Sequence, residues 1–390
     1  MHTKWTTVPI KEIYEGLYDG PHATPKPFDA GPVFLGIKNV TDDGRLDLSD
    51  IRHIAEEDFP RWTKRVEPRS GDLVFTYEAT LNRYAIIPES FRGCLGRRMA
   101  LIRPNPDKVD ARFLLYYFFT DAWRAVIKKN MLTGATVDRI PLTTFPEFPV
   151  TVPPLKTQRR IALILSAYDE LIDNSQRRIQ LLEQTALGLY REWFVHFRFP
   201  GHEKIKRVPS PLGNIPQGWR AGRLDDLLIL QRGFDLPKSQ RVEGSVPVYA
   251  ATGITGFHNE AKAKAPGVVT GRSGTIGEVI YVQEDFWPLN TALWVKAFPN
   301  SEPLYAFYVL SALKLTQFNS GAAVPTLNRN DIHGLDALVP IRSVQIEFQK
   351  IAGAMLAQIR ILTNRIETLR RTRDLLLPRL LSGQVNLGTD

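Results

Sequence analysis

The chain has 390 residues, with 50 Lys and Arg against 41 Asp and Glu, a formal charge of +9 at neutral pH. Hydrophobic residues make up 43% and aromatics 10%, too much for a disordered chain and enough for packed cores; at roughly 100–200 residues per domain the length predicts two or three domains. The single cysteine, Cys94, excludes a disulfide framework and a multi-thiolate metal site.

In chain order, residues 1–150 open without the basic-then-apolar pattern of a signal peptide. They are rich in short β-type runs broken by Gly, Pro and Asp, such as Val33 to Ile37 and Asp72 to Thr76. One amphipathic stretch, Ala111 to Lys129, predicts a helix. Residues 151–200 begin with Pro153-Pro154, which suits the position just ahead of a helix start. Beyond it Ile161, Leu165, Tyr168, Ile172, Ser175, Ile179, Leu182, Ala186, Leu189 and Trp193 are spaced 4-3-4-3, a heptad seam that predicts a coiled-coil helix ending near Pro200. A helix of about 40 residues is about 60 Å long at 1.5 Å per residue, too long for a head of ~150 residues to bury along one face.

Residues 201–338 comprise a linker, His202 to Trp219, and a second head with β-type runs at Val246 to Tyr249 and Gly267 to Thr270 and an amphipathic helix at Pro303 to Phe318. Residues 339–390 carry a second seam: Phe348, Ala352, Met355, Ile359, Leu362, Ile366, Leu369, Arg373, Leu376 and Leu380. Only Arg373 interrupts it, a residue that can snorkel or make a specific polar contact, and Pro378 marks or kinks its end. The fold class expected is α+β: two α/β-type heads with mostly antiparallel sheets, separated by two long antiparallel coiled-coil helices whose seams bury each other. The longest apolar runs, Phe113 to Phe119 and Ile161 to Leu165, fall far short of the roughly 20 residues of a membrane helix. A soluble, cytoplasmic protein without membrane contact is expected.

The chain is written twice. Gly134-Ala135-Thr136-Val137 recurs as Gly321-Ala322-Ala323-Val324, a numbering offset of 187. The same offset holds without a gap through Pro153 and Pro340, Gln158 and Gln345, Ile179 and Ile366, and Leu182 and Leu369. Twelve of the 49 positions between 134 and 182 are identical in this register. Near the head starts, Lys4-Trp5 with Val8 and Ile13 resembles Gly218-Trp219 with Leu224 and Leu227, the tryptophans lying at an offset of 214. A constant tail follows a variable head, the signature of an internal repeat.

No catalytic pattern is complete. Gly271 to Glu278 lacks the lysine of a phosphate-cradling loop. No Asn/Asp-Pro-Pro-aromatic tetrapeptide for adenine methylation is present, and the seven histidines show no paired ligand spacing. Cys94, in Phe91-Arg92-Gly93-Cys94-Leu95, reads as a buried thiol. Asp235 followed by Glu260-Ala261-Lys262 matches a metal-dependent nuclease loosely, in a segment that reads as a solvated turn or short helix.

Two variable heads on two matched tails resemble the specificity (S) subunit of type I restriction–modification enzymes. Asp19-Gly20-Pro21-His22-Ala23-Thr24-Pro25 resembles a segment near the start of many such heads, and Pro247 to Phe257 resembles another. Arg272-Ser273-Gly274-Thr275-Ile276-Gly277 is similar to the family's Arg-x-Gly-Thr-Ile-Gly loop. Val152 to Ile161 is similar to its helix start, Glu192 to Phe197 to its central-helix exit, and Leu377 to Gly383 to its C-terminus. The second helix start, Val339 to Gln345, lacks the second proline and the leucine. In the first head Thr76-Tyr77-Glu78-Ala79-Thr80-Leu81 stands where the Gly-Thr-Ile-Gly loop would be, which implies that the heads belong to different subclasses and read different sequences.

The resemblance implies that residues 1–150 and 201–338 are target-recognition domains, each reading half of an asymmetric split site in double-stranded DNA. The helices at 151–200 and 339–390 would fix the unread spacer. Two modification subunits, supplying S-adenosylmethionine chemistry on adenine, and restriction/translocase subunits, supplying ATP- and Mg-dependent cleavage, would be the partners; this chain would hold no cofactor, no metal and no catalytic residue. Base readout needs donors and acceptors on loops, and Lys and Arg for phosphates. The candidates are His22, Lys26, Lys38, Asn39, Arg83, Arg97 and Arg98 in the first head, and Arg232, Lys238, Arg241, Arg272, Ser273, Thr275, Asn290 and Arg329 in the second. Gly274 and Gly277 are expected to shape a tight hairpin. The competing reading is a coiled-coil interaction scaffold without DNA readout.

Overall fold

The computed structural model describes residues 5–134 and 137–385; Lys4 of the Lys4-Trp5 pair and Ala135-Thr136 of the first tail motif lie outside them. The chain divides into two compact units, Met1–Asn174 with Arg365–Asp390, and Ser175–Asn364. Each unit holds one head, the first part of the helix that leaves that head, and the last part of the other helix. The linear division at 150, 200 and 338 therefore cuts across the compact units, because both seams are shared between them.

In the first unit, Thr6–Pro9 pairs antiparallel with Pro149–Val152, which brings the head's first strand to the helix start. Tyr14–Asp19, Met99–Pro104, Leu73–Thr76 and Tyr84–Ile86 form a four-stranded antiparallel sheet in that order. A three-stranded sheet places Phe28–Leu35 between Arg52–His53 and Gly93–Leu95, the last pair parallel. Phe75, Tyr84, Phe113, Phe118, Trp123 and Phe145 are fully buried, and the Trp123 indole N–H donates to the Tyr84 hydroxyl at 2.9 Å, which satisfies two polar atoms inside an aromatic core.

The single helix expected over Ala111 to Lys129 is two, Ala111–Phe118 and Asp121–Asn130. The Asp110 carboxylate accepts from the Phe113 N–H at 3.0 Å, and the Thr120 hydroxyl accepts from the Trp123 N–H at 3.3 Å. Thr120 therefore caps a second start and ends the first helix, a local bond that overrides the apolar period. In the second head the expected helix stops at Ala312, and Leu315–Phe318 forms a separate 3₁₀ turn.

The second unit repeats the first, strand for strand. Arg220–Arg223 pairs with Asp336–Val339. Its register pair Arg220–Val339 corresponds to Thr6–Val152, each partner shifted by its own repeat offset. Ile229–Arg232, Ala292–Ala297, Gly267–Gly271 and Val279–Val282 form the four-stranded antiparallel sheet. Val246–Ala250 lies between Gly253–His258 and Trp287–Pro288, again with the last pair parallel. The linker holds a small hairpin, Arg207–Ser210 with Gly213–Pro216.

The first long helix runs over Leu155–Tyr190 and continues as a π turn at Arg191–Val195; the second runs over Arg342–Leu381, with Pro378 inside its last turn. Every seam position, from Ile161 to Trp193 and from Phe348 to Leu380, is buried or half-buried, while flanking Leu163, Leu181, Ile361 and Leu375 are exposed. In the first unit Ile161 and Leu165 share a core with Leu376 and Leu380; in the second, Ala186 and Trp193 share one with Phe348, Ala352 and Met355. Early residues of one helix thus meet late residues of the other, an antiparallel pairing in each unit. The same cores include head residues, Phe113 and Val150 in one, Tyr305 and Val339 in the other. The seams do not bury each other alone: each helix end is also built into a head, because the head helix offers a second apolar surface to it.

Two glutamines fix that junction. The buried Gln158 amide oxygen accepts from Asp110 N–H at 3.0 Å, and its NH₂ donates to the carbonyls of Lys108 (3.1 Å) and Pro153 (2.8 Å). Gln345, its counterpart in the repeat, accepts from Glu302 N–H at 2.9 Å and donates to Asn300 (3.1 Å) and Pro340 (2.9 Å). Each buried amide is satisfied by the same three backbone groups of its own head.

Candidate nucleic-acid interface

One loop of each head is held by the same frame. In the second unit the loop after Gly267–Gly271 is clipped by the segment before the tail: Leu327 N–H donates to the Arg272 carbonyl at 2.8 Å and Gly274 N–H to the Pro325 carbonyl at 2.9 Å. In the first unit Ile140 N–H donates to the Tyr77 carbonyl at 2.7 Å and Ala79 N–H to the Asp138 carbonyl at 3.0 Å. Pro325 and Leu327 are Asp138 and Ile140 advanced by the tail offset of 187. The isolated bridges Glu78–Arg139 and Ser273–Thr326 obey the same correspondence. Residues 77–82 are therefore the counterpart of 272–277.

The backbone agrees. Gly274 and Gly277 have φ of +94° and +107°; Ala79 and Asn82, in the matching places, have +70° and +61°. The glycines of Arg272 to Gly277 thus shape the turn. Left-handed φ costs a non-glycine residue about 1 kcal/mol or more, and the first head keeps that conformation at Ala79 without a glycine. What differs between the loops is chemistry, at Tyr77, Glu78 and Asn82 in one against Arg272, Ser273 and Gly277 in the other, while Thr80 and Thr275 are the same residue and Leu81 and Ile276 are both aliphatic. Burial, followed by the nearby carboxylates of Asp19 and Glu78, raises the Tyr77 phenol above its ordinary range, so it remains a neutral hydroxyl at neutral pH.

Several nominated side chains are committed elsewhere. Asn39 is buried and ties together Gly36 N–H and the carbonyls of Asp47 and Asp50, at 3.0 to 3.1 Å; it is a structural brace, not a surface reader. Lys38 pairs with Asp50, Arg98 with Glu78 at 3.0 Å, and exposed His22 with Asp19 at 3.1 Å. Arg83, Arg241, Arg272 and Arg329 donate to the backbone carbonyls of Val40, Thr255, Asn290 and Leu230. Asn290 donates to Asp235, and Arg232 lies 3.9 Å from the same carboxylate. Among the described residues Lys26, Arg97 and Lys238 are exposed and show no ion pair, and Ser273 and Thr275 make no side-chain hydrogen bond. These five are the candidates left free to bind.

The sequence places Thr76 to Leu81 at the position of this loop but nominates none of its residues as readers; the shared frame aligns 77–82 with 272–277 at an offset of 195, not the 187 of the tails. The signal lay one step away, in the tail segment that clips it. Cys94 is buried, and burial pushes its thiol up to about 12, which makes it a poor nucleophile. Glu260 and Lys262 pair with each other at 2.6 Å in an irregular turn rather than a helix. Among the described residues no group of three or more His, Cys, Asp or Glu could hold a metal ion, and no helix is long and apolar enough to cross a membrane.

The family model described as the type I restriction modification DNA specificity domain matches residues 4–184 and 216–372. The chain belongs to this family. A type I restriction enzyme specificity subunit of Methanocaldococcus jannaschii is 24% identical over 360 residues, 86% of this chain and 82% of the relative. One from Escherichia coli is 25% identical over 388 residues, 94% of this chain and 90% of the relative. The crystal structure of the S subunit from M. genitalium is similar in fold, with a TM-score of 0.68 at 16% identity, covering 97% of this chain and 96% of that one. As a DNA specificity subunit the chain belongs to a class that selects and does not catalyse.

Proposed function

We propose that each head reads one half of an asymmetric two-part site in double-stranded DNA, and that residues 77–82 and 272–277 are corresponding reading loops. The observation that carries this is one backbone frame presenting two different side-chain sets, which suits two different half-sites better than a shared protein partner. Exposed Lys26, Arg97 and Lys238 would neutralise phosphates, while Ser273 and Thr275 would offer hydroxyls to base edges. The chain would act in the cytoplasm with two modification subunits and restriction/translocase subunits. S-adenosylmethionine, ATP and Mg would reside in those partners, which would methylate adenine and cleave.

The test is equilibrium binding of the assembled methyltransferase to duplex DNA across a salt series. Affinity should fall linearly on logarithmic axes, by a slope of about 0.9 for each phosphate neutralised, and Lys238→Ala should lower that slope by roughly one. Binding that ignores salt, or a duplex affinity indifferent to sequence, would favour the scaffold reading.

A further inference from the structure

We infer that the helix seam carries a pairing code, which selects the first long helix against the second of the same chain over either helix against its counterpart in a second copy. The inference does not depend on how DNA is read. The one interruption of the seam, Arg373, donates to Asp169 of the first helix at 2.6 Å. The other oxygen of Asp169 accepts from the Tyr116 hydroxyl, and Asp374 takes a further N–H of Arg373 at 2.9 Å. Both charges are well shielded, with side chains 19% and 27% exposed.

The repeat supplies the internal control. The counterpart of Asp169 is Leu356, and Arg373 is the counterpart of Ala186. In the second unit these two are buried in one apolar core. A chain that carries the same seam twice can in principle pair first helix with first and second with second, between copies. The first combination would set Asp169 against Ala186; the second would set Arg373 against Leu356. Each removes the opposite charge on the facing helix from a half-buried side chain, which is disfavoured, whereas the pairing within one chain keeps it. A single polar position in an apolar seam is a known way to fix partner choice.

The experiment co-expresses two differently tagged copies of the full chain and measures how much of one co-purifies with the other, with mass by light scattering. The parent chain should show little. Asp169→Leu with Arg373→Ala, which copies the second unit's own pair, should raise co-purification on the order of tenfold with helix content unchanged by circular dichroism. The charge-reversed pair Asp169→Arg with Arg373→Asp should stay at the parent level. Should the apolar pair fail to fold, Asp169→Asn with Arg373→Gln, neutral and close in size, gives the same readout. Parent-level co-purification in a folded neutral variant would overturn the inference, as would a parent that already co-purifies as strongly as the variants.

Discussion

The junction of head and helix and the reading loop stand in opposite relation to the repeat. At the junction, Gln158 and Gln345 keep the same residue, the same burial and the same three hydrogen bonds. At the loop, 77–82 and 272–277 keep the backbone and change nearly every side chain. The frame is fixed by packing and backbone hydrogen bonds, while the loop side chains vary even where they serve their own head: Tyr77 is buried and Glu78 pairs with Arg98 in the first, and Arg272 donates to the Asn290 carbonyl in the second. The proposed readers sit where the repeat agrees in shape and disagrees in chemistry.

The largest effects should come from the seam, at equivalent positions 161 and 348. Phe348 is fully buried and within ring contact of Tyr190, Trp193, Phe194 and Tyr308; Phe348→Ala should cost about 3–5 kcal/mol. Ile161→Ala, in a less aromatic setting, should cost about 2–4 kcal/mol. Urea unfolding gives the size, and hydrogen exchange should show the second unit opening first in one case and the first unit in the other. Equal losses, or losses in the wrong unit, would break the comparison.

Next come the glutamines. Gln158→Leu and Gln345→Leu each leave three backbone groups without their partner, at about 1–3 kcal/mol, and the two losses should match within the error of the same unfolding experiment. Smaller still is the loop backbone. Ala79→Gly should stabilise the first unit by roughly 0.5–1 kcal/mol, by relieving left-handed strain, whereas Gly274→Ala should destabilise the second by a similar amount. Changes of the same sign at both positions would contradict the shared frame.

The smallest effect is a pH response confined to the second unit. The His333 ring nitrogen accepts from Leu230 N–H at 3.0 Å, a bond only the neutral ring can make, and burial is the first cause of its lowered pKa. A depressed histidine stabilises the fold fully above its unfolded value of about 6.5 and loses that contribution as pH falls through the folded one. Its counterpart is Pro146, so mild acid should loosen only the second unit by this route. His333→Gln should remove that part of the acid sensitivity in thermal melts between pH 7 and 5.

The tails were legible in the sequence because two periods coincide there, a heptad seam and a repeat offset that survives without a gap from Pro153 to Leu182. The heads were legible only as α+β, since insertions between Trp5 and the tail displace every strand. The break at Thr120 was hidden by an apolar period that runs straight through it, and Asn39 looked like a reader because an amide on a loop reveals nothing about its own burial. The antiparallel seam was read correctly. Its incorporation into the heads was not, because Phe113 and Tyr305 gave no sign of which surface they would cover.

The most direct test of the central claim is a map of N6-methyladenine in a methylation-free host carrying the operon, compared among the parent gene, its deletion, and a variant in which residues 77–82 take the sequence of 272–277. A split, asymmetric motif that vanishes on deletion, and that changes in one half only in the loop variant, is the predicted result. A motif that persists without the gene, or a loop variant that alters both halves or neither, would contradict it.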